Sequence, residues 1–145
     1  MTKIEHEMMD VVCALIIKAG KLLIVQYGLD SKHPGKWEFP GGKVQPGESP
    51  ESALIREIRE ELEMQIQPIF RLEPAEYTYP DKSILLLPFI CSRISNDLNL
   101  NEHVMFEWVS LEELPGFDLL PADRAVLDIE MNNEALIGFM SKTHC

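Results

Sequence analysis

Short apolar runs and turn-forming residues alternate along the first part of the chain. Residues 11–17 and 22–25 are rich in Val, Leu and Ile, and a Lys-Ala-Gly-Lys segment separates them. This spacing predicts a β-hairpin in which Gly20 supplies a positive φ. The stretch 28–35, which contains Pro and Gly, predicts a loop, and residues 37–39 predict a short strand.

A helix is predicted next, after a sharp turn at Pro40-Gly41-Gly42. Ser49 suits the N-cap, Pro50 suits the first helical position, and Glu51 places negative charge in the first turn. We expect the helix to run to about Leu62. Its apolar stripe, which should face the core, comprises Leu54, Ile55, Ile58 and Leu62.

The second half of the chain predicts further strands and then two helices. Ser110 and Glu113 fit a capping box that opens a short helix ending near Pro115-Gly116. Strands interleaved with two or three helices favour an α/β fold, specifically an α/β/α sandwich around a mixed β-sheet. The predicted strands are 66–79, 83–93 and 103–109, the last with Phe106 and Trp108 on one face, and the final helix runs from Pro121 to about Met131.

Composition fits one globular domain over residues 1–145. Hydrophobic residues make up 46% of the chain and charged residues 26%, which excludes disorder and coiled coil. The formal net charge is −11. This acidity excludes capture of a nucleic acid polymer, which needs a basic face. A small anionic ligand would need a bound cation to offset the repulsion.

The chain carries no predicted export or membrane signal. Residues 1–7 lack an apolar core of a signal peptide, and the apolar stretch 11–27 is interrupted by Lys and Gly and falls short of the ~20 residues that a span needs. Cys13, Cys91 and Cys145 are far apart and form no metal-binding pair. We therefore expect free thiols, no membrane association and a cytoplasmic protein.

Three carboxylates share one face of the predicted helix. Glu57, Glu60 and Glu61 stand at i, i+3 and i+4, where like charges repel one another. Mg²⁺ or Mn²⁺ would relieve that repulsion, because hard cations prefer oxygen ligands. The alternative is a solvated acidic face paired with Arg56 and Arg59.

The surroundings of these carboxylates resemble a known signature. The spacing Gly42-x5-Glu48-x7-Arg56-Glu57-Ile58-x-Glu60-Glu61-x-x-Met64 resembles the Nudix box, G-x5-E-x7-R-E-U-x-E-E-x-G-U, with U a bulky apolar residue. One position departs, since Glu63 stands where the box has Gly. A Gly there would end the helix in a left-handed conformation at little cost. We expect a local change in the helix exit and an intact metal site.

The resemblance extends to most of the chain, from about Val11 to Asp128. Residues 37–43, 107–109 and 119–123 are similar to segments of MutT-like nucleoside triphosphate pyrophosphohydrolases. The resemblance implies an enzyme that uses Mg²⁺ to convert a nucleoside triphosphate to the monophosphate and pyrophosphate. A dinucleotide or nucleotide-sugar substrate stays open, as does a nucleotide-sensing module without turnover. A monomer and a homodimer are both compatible with it.

The resemblance also implies roles for individual residues. The metal ligands would be Glu57, Glu60, Glu61 and the carbonyl of Gly41. Glu102 aligns with a residue that acts as metal ligand or general base, although an ordinary loop position is the alternative. The supporting residues would be Gly42, Glu48 and Arg56, the last two joined in a buried ion pair.

The resemblance further implies residues that contact the substrate. Lys43 would touch a phosphate, or would simply face solvent. Phe39 would form an apolar wall for the base, or belong to the core. Asp123 would read the base, or only complement the last helix. An ionised Asp only accepts hydrogen bonds, which suits an exocyclic amino group, so CTP or modified cytidine triphosphates stand beside 8-oxo-dGTP as candidate substrates. Gln26-Tyr27 stands where many such sequences carry an Arg that contacts phosphate.

Overall fold

The computed structural model describes residues 7–142; the predictions on residues 1–6 and on Cys145 lie outside them. Eight strands and three helices follow one another along the described chain. The strands are β1 Met8–Lys18, β2 Lys21–Gln26, β3 Trp37–Glu38, β4 Gly41–Lys43, β5 Ile66–Arg71, β6 Ala75–Tyr79, β7 Lys82–Arg93 and β8 Met105–Val109. The helices are α1 Pro50–Leu62, α2 Pro121–Asp128 and α3 Glu130–Lys142.

The strands form a mixed sheet centred on β1. Its main path is β3-β2-β1-β7-β5, and β4, β6 and β8 pair with β1, β7 and β2, respectively. Only β1 and β7 run parallel, while the other pairs are antiparallel. Gly20 has a φ of +75°, so the predicted β1–β2 hairpin turn is confirmed.

Strand β1 is buried on both faces, which separates two apolar clusters. Cys13, Leu15 and Ile17 pack with α2 and α3, whereas the alternate residues Val12, Ala14 and Ile16 pack against α1. A strand segment covered on both faces is apolar at every position, as residues 12–17 of β1 are. The helices therefore lie on opposite faces of the sheet, and the predicted α/β/α sandwich is confirmed.

Helix α1 has the predicted start and end. Ser49 is the N-cap, and its hydroxyl accepts a hydrogen bond from the Ser52 N–H at 3.1 Å. Leu54, Ile58 and Leu62 are fully buried, while Ile55 is half-buried and flanks the stripe. Glu63 ends the helix with φ of 52° and ψ of 36°, the left-handed conformation that favours glycine. The expected local change in the helix exit is therefore wrong.

Replacing Glu63 by Gly should stabilise the protein. A non-glycine residue in the left-handed region costs about 1 kcal/mol, part of which the greater freedom of Gly in the unfolded chain offsets. We expect Glu63→Gly to raise the free energy of unfolding in urea by about 0.5 kcal/mol. Glu63→Ala is the matched control, because it removes the side chain and keeps the strain. Equal stability of the two variants would show that the backbone conformation is not the cause.

Three predicted strand or turn elements are corrected. Gly41–Lys43 is a strand rather than a sharp turn, since it pairs with β1. The predicted strand 66–79 is two strands, β5 and β6, because the chain leaves the ladder around Pro74. The strand predicted to begin at His103 begins at Met105, and its residues Phe106 and Trp108 do lie at alternate positions.

The last part of the chain also differs from its prediction. Ser110 and Glu113 do form the reciprocal capping box, with bonds of 2.9 and 3.2 Å, but only a 3₁₀ turn at Leu114–Gly116 follows. The predicted final helix ends at Asp128 rather than near Met131, because Ile129 adopts an extended conformation with ψ of 118°. A further helix that was not predicted, α3, follows from Glu130. No helix of residues 7–142 has the length and apolarity needed to cross a membrane.

Candidate active site

The three carboxylates of the last turns of α1 share one flank but differ in exposure. Glu61 is buried at 6% exposure, whereas the Glu57 and Glu60 side chains are 16% and 59% exposed. The flank therefore runs from the protein interior to solvent. This gradient distinguishes it from a uniformly solvated acidic face.

Arg56 ties this flank to the preceding loop. Its Nε and Nη2 donate to both oxygens of Glu48 at 2.6 and 2.8 Å, and Nη1 donates to Glu57 at 2.8 Å and Glu60 at 3.3 Å. Nη2 also reaches the Lys43 carbonyl at 3.1 Å. Hydrogen bonds from Arg56 lower the pKa of Glu48 to about 2. The pair is partly exposed, at 23% and 19%, so the expected ion pair exists but is not fully buried.

Gly41 and Gly42 bring strand β4 close to both neighbours. A Cβ on Gly42 would overlap the carboxylate of Glu57, and a Cβ on Gly41 would overlap the carbonyl oxygen of Val12 in β1. Glycine is therefore required by close approach at both positions. Because it has no side chain, Gly42 leaves room for the carboxylate of Glu57, which is consistent with the supporting role expected of it.

Glu61 carries an unsatisfied acceptor. Its Oε2 is buried and has no hydrogen-bond partner among the described residues. Burial, followed by the nearby charges of Glu38, Glu102 and Glu57, raises the pKa of Glu61 to about 10. A cation beside this carboxylate would lower its pKa and so favour its ionised form.

The donor set suits a hard divalent cation. Within residues 7–142, no three acidic, His or Cys side chains converge at metal-binding distance. The unsatisfied oxygen of Glu61 and the adjacent carboxylates are nevertheless the oxygen donors that Mg²⁺ or Mn²⁺ prefers. Glu57 and Glu60 are both in contact with Arg56.

A cavity of about 220 Å³ opens beside Glu61 and β4. Its floor is the sheet face formed by alternate residues, because side chains on one face recur every second position. These floor residues are Met9, Val11 and Cys13 of β1, Gly41 and Lys43 of β4, and Ile84 and Leu86 of β7. Glu61 is the flank carboxylate that lines this cavity, so the acidic flank reaches the cavity through Glu61.

Asp123 lies at the inner end of this cavity. It is buried at 4% exposure, and its Oδ2 accepts a hydrogen bond from the Phe39 N–H at 2.7 Å. Burial raises the pKa of Asp123, and the charge of Glu38 adds to this effect. Phe39 is both a core residue, at 1% exposure, and part of the cavity wall. Asp123 is not the N-cap of α2, which is Leu120.

Two site residues were not predicted from the sequence, Glu38 and His103. Glu38 lines the cavity, and its Oε2 lies 2.9 Å from Nε2 of the buried His103. The Tyr27 ring packs at 5.0 Å from the His103 ring and also lines the cavity. The sequence could have pointed to Glu38, because it lies in the 37–43 segment that resembles MutT-like proteins. It could not have pointed to the contact with His103, which is 65 residues away.

Two lysines line the site. Lys43 and Lys82 both line the cavity, and Lys43 is exposed, so the geometry is compatible with either expectation for it. Gln26 donates through Nε2 to the Gly35 carbonyl at 3.2 Å and so braces the loop before β3. Glu102 is exposed and near enough to Glu61 to raise the pKa of that carboxyl.

Fold and site together define a class of protein: an α/β/α sandwich in which an acidic helix borders a ligand cavity. The chain belongs to the NUDIX domain family, which its residues 7–128 match.

Curated and solved relatives match most of this chain. The chain is 35% identical to the CTP pyrophosphohydrolase of Escherichia coli K12 over 125 residues, which is 86% of this chain and 93% of that protein. It is 35% identical to the 8-oxo-dGTP diphosphatase of the same organism over 107 residues, 74% of this chain and 83% of that protein. The crystal structure of a MutT protein from Methanosarcina mazei Go1 superposes with a TM-score of 0.78 at 28% identity, covering 97% of this chain and all of that one.

Proposed function

We propose that this chain hydrolyses nucleoside triphosphates to the monophosphate and pyrophosphate with Mg²⁺, for which Mn²⁺ can substitute. One observation carries the proposal: Glu61 of the acidic flank and the buried Asp123 line the same cavity. A nucleotide can then place its base at the inner end and its phosphates beside α1. The names of the curated relatives support a triphosphate as substrate.

In this proposal, each site residue of the chain has its own role. Glu57, Glu60, Glu61 and the Gly41 carbonyl would hold the cation, and Glu102 would act as a further ligand or as general base. When bound, the cation neutralises the phosphates and lowers the pKa of a bound water. Arg56 and Glu48 orient the helix and its loop, and Lys43 offers a positive charge to a phosphate.

The cysteines support a reducing compartment, which we propose to be the cytoplasm. Cys13 and Cys91 are both free and buried, and burial raises the pKa of each thiol. Neither therefore has the exposed, ionised character of a reactive thiol.

A substrate panel tests the proposed function. Pyrophosphate release is measured with Mg²⁺ and with Mn²⁺ for the standard NTPs and dNTPs, 8-oxo-dGTP, NADH and ADP-ribose. We expect CTP or 8-oxo-dGTP to give the highest kcat/KM. Turnover confined to NADH or ADP-ribose would assign a dinucleotide or sugar diphosphate substrate instead, and binding without turnover would assign a sensing module.

Asp123→Asn should change the choice of base. The amide oxygen can still accept from the Phe39 N–H, so the fold is retained, while the amide nitrogen is a permanent donor that, unlike Asp123, cannot become an acceptor by losing a proton. We expect kcat/KM for CTP to fall relative to that for 8-oxo-dGTP by about 10-fold or more, the scale of one mismatched hydrogen-bond pattern.

The control for this substitution is Asp118→Asn. Asp118 is 69% exposed and pairs with Lys36 outside the cavity, so the ratio of the two kcat/KM values should stay constant. A proportional change for every base in Asp123→Asn would show that Asp123 does not read the base.

A further inference from the structure

The segment that carries Glu102 is an irregular loop between β7 and β8. Residues 95–104 form no helix or strand, and no hydrogen bond or ion pair to another described residue holds the Glu102 side chain itself. An unanchored loop of this length would sample many conformations. The placement of Glu102 therefore depends on its neighbours.

On one side, the loop is fastened to the end of α1. The Asn101 N–H donates to the Glu61 carbonyl at 2.9 Å, and its Nδ2 donates to the Glu60 carbonyl at 2.8 Å. The Asn99 N–H donates to the Leu62 carbonyl at 2.8 Å, and the Glu63 N–H to the Arg59 carbonyl at 3.0 Å. The last four carbonyls of the helix, which need partners outside it or at its cap, are thus all satisfied.

On the other side, the loop is fastened to the sheet. The His103 side chain is only 1% exposed, and its Nε2 lies 2.9 Å from Glu38 Oε2. In the tautomer that carries its proton on Nε2, His103 donates this hydrogen bond to the carboxylate oxygen. The Val104 N–H then donates to the Gln26 carbonyl at 3.0 Å, and β8 begins directly afterwards.

We propose that Asn101 and His103 are positioning residues that hold Glu102 over the acidic flank of α1. Glu102 is the one residue between these two anchors, and Asn101 binds the carbonyls of the residues that carry two of the three flank carboxylates. This inference rests on the proposed function, since it assumes that Glu102 takes part in turnover. Preorganisation of a catalytic group by neighbouring hydrogen bonds is worth large rate factors.

Asn101→Ala tests the helix-side anchor. It removes the bond to the Glu60 carbonyl and should lower kcat by about 10-fold or more, while KM for the nucleotide changes less than about 3-fold. Asn99→Ala is the matched control, because Asn99 is exposed and binds α1 only through its backbone N–H. In a Glu102→Gln background, Asn101→Ala should have almost no further effect on kcat.

His103 needs a conservative partner variant, because its side chain is buried. His103→Gln keeps a donor near the position of Nε2 and should retain kcat within about 3-fold, whereas His103→Leu leaves Glu38 without that donor and should lower kcat by about 10-fold. The loss in His103→Leu should also disappear in the Glu102→Gln background, which separates an effect on Glu102 from one on Glu38.

A measurement without substrate completes the test. The ¹⁵N order parameter of the Glu102 amide should fall from about 0.85 to below about 0.6 in Asn101→Ala and remain unchanged in Asn99→Ala. Equal kcat values for these two variants, or losses that simply multiply with that of Glu102→Gln, would overturn the proposal. If the wild-type chain hydrolyses nothing in the substrate panel, the proposed function fails and the catalytic part of this inference fails with it. The order parameter still reports whether the anchors hold the loop.

Discussion

We expect Gly41→Ala to lower the free energy of unfolding by about 3 kcal/mol or more, the upper range of overpacking substitutions. The added methyl group would overlap the Val12 carbonyl oxygen and crowd the Cys13 Cα. Both atoms belong to the backbone of β1, the central strand, so neither can move without breaking the β1–β4 pairing. Urea denaturation followed by circular dichroism measures the loss.

Gly138→Ala is the control for that substitution. Gly138 lies inside α3, and apart from its chain neighbours and the adjacent helix backbone no atom lies within 4 Å of the place where a Cβ would stand. Alanine is the better helix former by about 1 kcal/mol, so this variant should be more stable than the wild type. Equal stabilities of the two variants would contradict the close approach of β4 to β1.

Replacing Glu60 by Gln should lower kcat for pyrophosphate release by about 100-fold or more. The amide keeps the shape of the side chain and removes the charge that would hold a divalent cation. Because the Glu60 side chain is 59% exposed, the free energy of unfolding should change by less than about 0.5 kcal/mol. Steady-state kinetics at saturating Mg²⁺ and a urea titration separate the two effects.

Glu51→Gln makes the same substitution at the other end of the same helix. Glu51 is 52% exposed and contacts Arg71 at 3.4 Å, away from the cavity. Its kcat should match that of the wild type. Full activity in Glu60→Gln would mean that the acidic flank is a solvated surface and that turnover, if present, occurs elsewhere.

Local signals in the sequence were sufficient for the elements that carry the acidic flank. The cap at Ser49, Pro50 and the apolar stripe of α1 act within a few residues of one another, and the structure confirms all three. The β1–β2 hairpin rests on Gly20, which has the required positive φ. Glu63 stands where the Nudix box has Gly, and the chain nevertheless keeps the left-handed helix exit at this position.

Elements and contacts that depend on distant partners could not be predicted in this way. The break between β5 and β6 is fixed by Asn132 of α3, whose side chain binds both the N–H and the carbonyl of Glu73, 59 residues earlier. Helix α3 itself buries only Asn132, Leu136 and Met140, a narrow stripe with a polar member. Its amphipathic signal is correspondingly weak.

The same limit applies to the site. Asp123 meets Phe39 across 84 residues, and His103 meets Glu38 across 65, so no local pattern reports either contact. Spacing predicted which carboxylates share the helix flank. The tertiary fold determines that Glu61 is buried, that Arg56 holds Glu57 and Glu60, and that the flank borders the cavity.

Product analysis with and without metal tests whether this chain is a metal-dependent enzyme that releases pyrophosphate from nucleoside triphosphates. Wild-type protein is incubated with CTP and with 8-oxo-dGTP, in Mg²⁺ or in EDTA, and the products are separated by ion-exchange chromatography. We expect monophosphate and pyrophosphate in equal amounts in Mg²⁺, and no hydrolysis in EDTA. A diphosphate with orthophosphate, or equal rates in Mg²⁺ and EDTA, would contradict it.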